Sequence, residues 1–166
     1  MNNELNSKFS NIFIMLLYSI MTNDINRVKH FLSSELFYKY KNIIDNNINN
    51  NEKQMYDELN IAKIDIINKE IVDNYEIVTV KIKAKYIDYI IKADTGEYKR
   101  GNNKYRIEKE YKLEFKKLVN AEKRNLVIKC PSCGANLDIN FTGVCPYCAN
   151  IIEINNFDYI LTNVEC

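Results

Sequence analysis

The sequence has no tryptophan, a single histidine, two prolines and four glycines in 166 residues, and its net charge is only +1. His30 has no nucleophile or second ligand near it in sequence, so we expect it on a helix surface. The longest apolar run, Ile12 to Tyr18, is shorter than the about 20 residues that a membrane-spanning helix needs. The near-neutral net charge does not favour nucleic acid as a binding partner. These absences leave a globular chain, long enough for one good core and a small additional module.

Four of the five cysteines form two Cys-x-x-Cys pairs separated by eleven residues, Cys130-Pro-Ser-Cys133 and Cys145-Pro-Tyr-Cys148. Each pair can form a tight turn that directs two thiolates to one point, and a hairpin can bring two such turns together into a tetrahedral site. A proline fixes φ after the first cysteine of each pair, and Gly134 can take the positive φ that closes the first turn. Because all four ligands are cysteines, no position is left for water or substrate. The pattern predicts one structural Zn²⁺.

Three other roles compete for these cysteines. Disulfides need an oxidising compartment, whereas the N-terminal segment lacks the basic region and cleavage site of a secretory signal, which predicts a cytoplasmic location. A thioredoxin-like centre needs one pair that opens a helix after a strand. An iron–sulfur cluster is not excluded by four thiolates, but the paired spacing is the zinc-ribbon signature and favours zinc. Cys166 has no partner in the pattern and is expected to be an incidental thiol.

Charge is unevenly distributed along the chain. Residues 76–119 carry 12 basic and 7 acidic side chains, whereas residues 120–166 carry 3 basic and 5 acidic ones. A ribbon that binds nucleic acid needs Lys and Arg to neutralise phosphates, and this one has almost none beyond Lys129. The sequence therefore predicts a structural ribbon without a nucleic-acid partner.

Helical spacing of apolar residues predicts three helices in the first part of the chain. The first covers Phe9 to Met21 and the second Asp24 to Leu32. Ser33-Ser34-Glu35 is an N-cap signal for the third, which carries apolar residues as far as Ile44. The Asn-rich stretch from Asn46 to Asn51 is expected to be a polar loop.

Alternating apolar and polar residues predict strands after that point. Leu59 to Val72 is expected to contain a bulge, because its alternation slips, and Val78 to Tyr86 alternates cleanly. A turn-rich connection from Asp94 to Asn103 precedes a third strand, Tyr105 to Lys116. The pattern predicts an α+β fold in which the N-terminal helices pack on a curved antiparallel sheet, followed by a C-terminal zinc ribbon.

The charged turn Ala121 to Asn125 predicts a boundary between a first domain, residues 1–122, and the ribbon, residues 126–166. Two apolar segments follow the second cysteine pair, Ile151 to Ile154 and Phe157 to Leu161. They exceed what a small ribbon needs to bury. We therefore expect them to pack on the first domain or on another chain.

Several short motifs follow one another in a recognisable order: Asp24-Ile25, Phe31-Leu32-Ser33, Val78-Thr-Val80, Ile87-Asp88-Tyr89, Asp94-Thr95-Gly96, Gly101 and Tyr111-Lys-Leu-Glu-Phe115. Their order resembles the Tim44-like domain, the C-terminal domain of the peripheral subunit that tethers the import motor at the mitochondrial inner membrane. Bacterial relatives of that domain often append a zinc ribbon of the form found here. The chain departs from that pattern at Lys116, where the family has Arg, and at Ala149, where ribbons commonly have Gly.

The resemblance implies a cystatin-like or nuclear-transport-factor-two-like cone, a transport-associated role peripheral to the inner face of a membrane, and a protein partner. It implies no enzymatic activity and no small-molecule substrate. Motor tethering is not carried over, because the long N-terminal region that contacts the chaperone in the mitochondrial protein has no counterpart in this sequence.

Lys81, Lys83 and Lys85 share one face of a predicted strand and are the candidate contact with an anionic membrane surface. Further basic residues flank the connection that follows: Lys92, Lys99, Arg100 and Lys104. In the alternative interpretation, these lysines are a solvated face and pair across strands with glutamates of the third strand.

An alternative function is a small-ligand-binding or isomerase-like enzyme with a cone-shaped pocket. Asp88 would be the acid or base, with Tyr86 and Tyr111 at neighbouring inward positions. A deep apolar pocket would favour this enzyme, whereas a filled cone with a charged outer face would favour a binding module.

Overall fold

The computed structural model describes residues 2–119, 128–129, 133–137, 145, 147–149 and 158–166. The helices are α1 (Asn2–Met21) and α2 (Ser34–Asn49), with two 3-10 turns between them, Ile25–Arg27 and Lys29–Phe31. The strands are β1 (Glu52–Val72), β2 (Tyr75–Lys92), β3 (Tyr98–Gly101), β4 (Ile107–Leu118), β5 (Ile128–Lys129), β6 (Asn136–Leu137) and β7 (Ile160–Glu165).

The predicted second helix, Asp24 to Leu32, is wrong, because two short 3-10 turns occupy this stretch. The Asp24 carboxylate accepts a hydrogen bond from the amide of Asn26 at 3.1 Å and caps the first turn. The amide of Ser33 then donates to the carbonyl of Leu161 at 2.9 Å, and Leu32 forms a β-bridge with Leu161. These contacts with β7 hold the backbone extended at Leu32. The apolar residues of this stretch therefore face the core without a continuous helix.

Helix α2 begins as predicted, because the Ser33 hydroxyl accepts a hydrogen bond from the amide of Leu36 at 3.2 Å. Its end differs from the prediction: the Asn-rich stretch continues the helix to Asn49 instead of forming a loop. Asparagine lowers helix propensity by only a few tenths of a kcal/mol, which one buried residue such as Ile44 can offset. The chain leaves the helix at Asn51, whose φ of 56° is in the left-handed region.

The main sheet has the antiparallel order β1-β2-β4-β7, and β3 extends the β4 side of β2. Strand β1 turns into β2 through Asp73 and Asn74, whose φ values of 51° and 68° are typical of a two-residue hairpin turn. Three register shifts interrupt the pairing of β1 with β2, which confirms the predicted bulging. Strand β1 starts at Glu52 rather than near Leu59, because its first residues pair with the end of β2.

The helices pack on the inner face of the sheet, and this confirms the predicted α+β architecture. Alternate residues of β2 face the helices and are buried: Val78, Val80, Ile82, Ala84 and Tyr86. Phe9 of α1 stacks on Phe115 of β4 with ring centroids 4.2 Å apart. Tyr159 meets the edge of Phe9 at 5.1 Å and leads into β7.

The packing of Tyr159 and Leu161 on this core confirms, for these residues, that the last apolar segment packs on the first domain. Ile151 to Ile154 lies outside the described residues. The boundary between residues 1–122 and 126–166 remains a prediction, with β7 contributing to the main sheet. None of the helices in the described part of the chain is both long and apolar enough to cross a bilayer.

Candidate metal centre and charged surfaces

Three of the four predicted zinc ligands converge. The Sγ atoms of Cys133, Cys145 and Cys148 all lie within 4.8 Å of one another, and Cys145 is 1% exposed. The Sγ atoms of Cys133 and Cys145 are 3.7 Å apart, far beyond the about 2.05 Å of a disulfide bond. Zinc–sulfur bonds of about 2.3 Å at tetrahedral angles place two ligand sulfurs about 3.8 Å apart. The measured spacing therefore fits two ligands of one tetrahedral metal. Cys130 lies outside the described residues.

The backbone around these cysteines has the turns that such a site needs. Strands β5 and β6 pair Lys129 with Asn136, so Cys133 lies in the connection of a short hairpin. Gly134 has a φ of 75°, as its position predicts. In the second turn the amide of Ala149 donates to the carbonyl of Cys145 at 2.8 Å. Ala149 has a φ of 62°, a conformation that glycine adopts at lower cost. The three thiols can therefore bind a metal ion.

The row of Lys81, Lys83 and Lys85 lies on the outer face of β2, opposite the helices. Lys81 forms an ion pair with Glu110 at 3.3 Å and Lys85 with Glu108 at 3.8 Å. The cross-strand pairs of the alternative interpretation are therefore present. Whether the row also contacts an anionic surface remains a prediction.

Charge on the whole outer face is balanced among the residues that are in register across the main sheet. Seven are basic and seven are acidic: Lys53, Lys63, Lys81, Lys83, Lys85, Lys112 and Lys116, and Asp57, Asp65, Glu70, Glu108, Glu110, Glu114 and Glu165. A surface with equal numbers of both signs has little net attraction for an anionic bilayer.

Tyr86 and Tyr111 lie in the filled interior of the cone. Their hydroxyl oxygens are 2.6 Å apart, and the side chains are 1% and 8% exposed. Burial, followed by the hydrogen bond between its hydroxyl and that of Tyr86, raises the pKa of Tyr111. Burial also raises the pKa of Tyr86. Both phenols therefore stay neutral, and their hydroxyls form a hydrogen bond with each other instead of facing a substrate.

Asp88 lies near the end of β2, beside the start of β1 and next to β3. Its Oδ1 atom accepts a hydrogen bond from Nε2 of Gln54 at 2.6 Å. An open cavity of about 330 Å³ is lined by Gln54, Asp88, Arg100 and Asn102 among others. This cavity is the observation that supports the alternative of a small-ligand site, whereas the filled interior favours a binding module.

Glu52 is a buried carboxylate that the sequence analysis did not single out. It is 7% exposed, accepts two hydrogen bonds from Arg100 at 2.8 and 3.0 Å, and accepts one from Lys99 at 2.6 Å. The hydrogen bonds from Arg100 and then Lys99 lower the pKa of Glu52 to about 2. The interaction fastens β3 to the start of β1. No local pattern reveals it, because the partners are 47 and 48 residues apart.

Comparison with protein families matches the chain to the Tim44-like domain, whose model covers residues 2–127. Domains of this family are generally non-catalytic scaffolds of import machinery, associated with protein–protein interactions and with membranes. A search of curated proteins gives no significant match.

Proposed function

The chain belongs to the Tim44-like domain family, and from this premise we propose that it is a non-enzymatic binding scaffold stabilised by a zinc ribbon. In this proposal, Cys130, Cys133, Cys145 and Cys148 hold one Zn²⁺. The protein works in the cytoplasm, peripheral to the inner face of a membrane, and binds a protein partner. Small molecules and nucleic acids are not its ligands.

The convergence of Cys133, Cys145 and Cys148 carries the zinc proposal. Three thiolates that share one point repel one another unless a cation neutralises them, and the spacing of 3.7 Å fits zinc–thiolate bonds. Cys130 is the fourth cysteine of the paired pattern and would close the site. A closed four-thiolate site leaves no position for substrate, so the metal would stabilise the fold and take no part in a reaction.

The filled cone supports the absence of catalysis. The inner face of β2 is buried from Val78 to Tyr86, and the tyrosine pair occupies the place that an acid–base site would need. The outer face offers many exposed, alternating charges, which suit contact with another macromolecule more than the enclosure of a small one.

Zinc content and solubility of serine variants test the proposal. The wild-type protein should contain one zinc per chain, measured by elemental mass spectrometry after gel filtration. Cys133→Ser and Cys148→Ser should each lose zinc and aggregate, because the metal-free ribbon exposes apolar segments. Cys166→Ser is the matched control and should retain zinc and solubility.

Three results would count against the zinc proposal. A double variant, Cys133→Ser with Cys148→Ser, that stays fully folded and soluble would refute the stabilising role. Iron with sulfide in place of zinc would identify a cluster. Loss of titratable thiols in the freshly purified, metal-free protein would identify disulfides.

A further inference from the structure

The segment made of β3 and its connection to β4 differs in charge from the balanced outer face. Residues 98–106, here called the tip loop, contain Lys99, Arg100, Lys104 and Arg106 and no acidic residue. Glu52 neutralises part of the charge of Lys99 and Arg100. Lys104 and Arg106 are exposed, and within the described part of the chain no carboxylate lies within 4.0 Å of either. The tip loop therefore presents positive charge that the fold does not use.

The tip loop is held in one shape by its own hydrogen bonds. The Asn102 side chain donates to the carbonyl of Tyr105 at 2.8 Å and accepts from the amide of Lys104 at 3.0 Å. The amide of Asn102 donates to the carbonyl of Asp88 at 2.9 Å, which anchors the loop to β2. Its exposed side chains are thus displayed on a fixed backbone, which lowers the entropy lost on binding.

Two tyrosines accompany the charges. Tyr105 is 68% exposed and Tyr98 is 49% exposed. A tyrosine ring with its hydroxyl suits the boundary between lipid headgroups and acyl chains, where one end is apolar and the other is hydrated. Exposed aromatic rings between basic side chains match the headgroup region of an anionic bilayer, where both the ring and the charge have a partner.

We infer that the tip loop, rather than the row of Lys81, Lys83 and Lys85, is the part of this domain that contacts an anionic bilayer. The inference rests on the proposed peripheral role at a membrane and names the surface that performs it. Lys104 and Arg106 supply attraction to acidic headgroups, and Tyr105 inserts at the headgroup level. Lys81 and Lys85 of the lysine row stay in their ion pairs with Glu110 and Glu108.

Vesicle co-sedimentation of the full, zinc-loaded chain tests this inference. The vesicles are phosphatidylcholine alone or phosphatidylcholine with 30% phosphatidylglycerol, at low and moderate salt. Each basic residue close to an anionic surface contributes about a fivefold gain in partitioning. The double variant Lys104→Gln with Arg106→Gln should therefore lose about 30-fold in partitioning to the anionic vesicles. Its matched control, Lys81→Gln with Lys85→Gln, removes the same charge and should change partitioning less than twofold.

A third variant, Tyr105→Ser, separates insertion from charge. It should weaken binding to anionic vesicles and leave the salt dependence unchanged, because the number of basic residues is the same. All variants should keep the wild-type circular dichroism and zinc content, since each changes surface side chains that are exposed or half-buried.

The outcomes separate this inference from the proposed function. Wild-type binding that survives the tip-loop change, or that falls equally with the Lys81 and Lys85 change, would overturn the inference and leave the membrane role intact. A wild-type chain that binds neither kind of vesicle would overturn both. Binding to a soluble polyglutamate peptide without binding to vesicles would show that the occupant is an acidic protein segment, which would also overturn the inference.

Discussion

Ala149→Gly should tighten zinc binding, because Ala149 holds a left-handed backbone conformation in the second cysteine turn. Its φ is 62°, and its amide closes the turn onto Cys145. A left-handed conformation costs an L-residue roughly 1–2 kcal/mol, and glycine avoids this cost. Part of the benefit is lost, because glycine has more conformational entropy in the unfolded chain. A net gain of about 1 kcal/mol remains, which corresponds to about a fivefold increase in zinc affinity.

Gly134→Ala is the reciprocal change in the first turn. Gly134 has a φ of 75°, and a Cβ atom added there would have no described atom within 4 Å. Steric contact with the described residues therefore plays no part, and the substitution should weaken zinc binding by about the same factor through backbone strain. The double variant should return close to the wild-type affinity.

Competition titration against a chromophoric zinc chelator measures these affinities. The pH must be held constant, because zinc binding releases thiol protons. The claim that backbone strain limits zinc affinity would be refuted if Ala149→Gly left the affinity unchanged or lowered it while Gly134→Ala also had no effect. If both variants changed the stability of the metal-free protein equally, the substitutions would be acting on the unfolded chain and not on the metal site.

Two further predictions concern the end of the sheet where β3 joins it. Glu52→Gln should destabilise the fold above pH 4.5, and the difference from wild type should shrink between pH 4.5 and about 2, because the folded-state pKa is lowered and the carboxylate protonates across this window. Urea unfolding at a series of pH values measures this, and a difference that does not depend on pH would contradict the ion-pair origin. Gly101→Ala should cost about 2–4 kcal/mol in unfolding free energy, because the new Cβ would lie 2.7 Å from Cα of Tyr89 at a φ of 104°. Urea unfolding with an unchanged midpoint would show that β3 can move away.

The helices show which part of the fold could be predicted from local pattern. Ser33 marks the start of α2, because capping depends on residues only three positions apart. The stretch from Asp24 to Leu32 has helical spacing but forms 3-10 turns, since Leu32 and Ser33 bond to Leu161 at the other end of the chain. A pattern that is short in sequence contains no information about such a distant partner.

The candidate sites also differ in how much of them the local sequence predicts. The spacing of the cysteines predicts the convergence of Cys133, Cys145 and Cys148, because each turn is local. The charge balance around Lys81 and Lys85 depends on the register of four strands, and one residue of slip would move every side chain to the other face. The lysine row could therefore be recognised from the sequence, whereas its neutralising partners required the sheet.

The pairing of β7 with β4 has a consequence for how the segment between them is attached. Lys116 and Ile160 are register partners, so the chain leaves the sheet and returns to it at almost the same place. The cysteine-bearing segment is therefore a closed loop inserted into the sheet, held at both ends. The entropy of closing a loop grows only with the logarithm of its length, so a metal that shortens this loop changes the stability of the sheet by a few tenths of a kcal/mol. The sheet can tolerate large changes in the length and content of the insertion. Loss of the metal should therefore unfold the insertion and expose its apolar segments while the sheet that holds it stays folded.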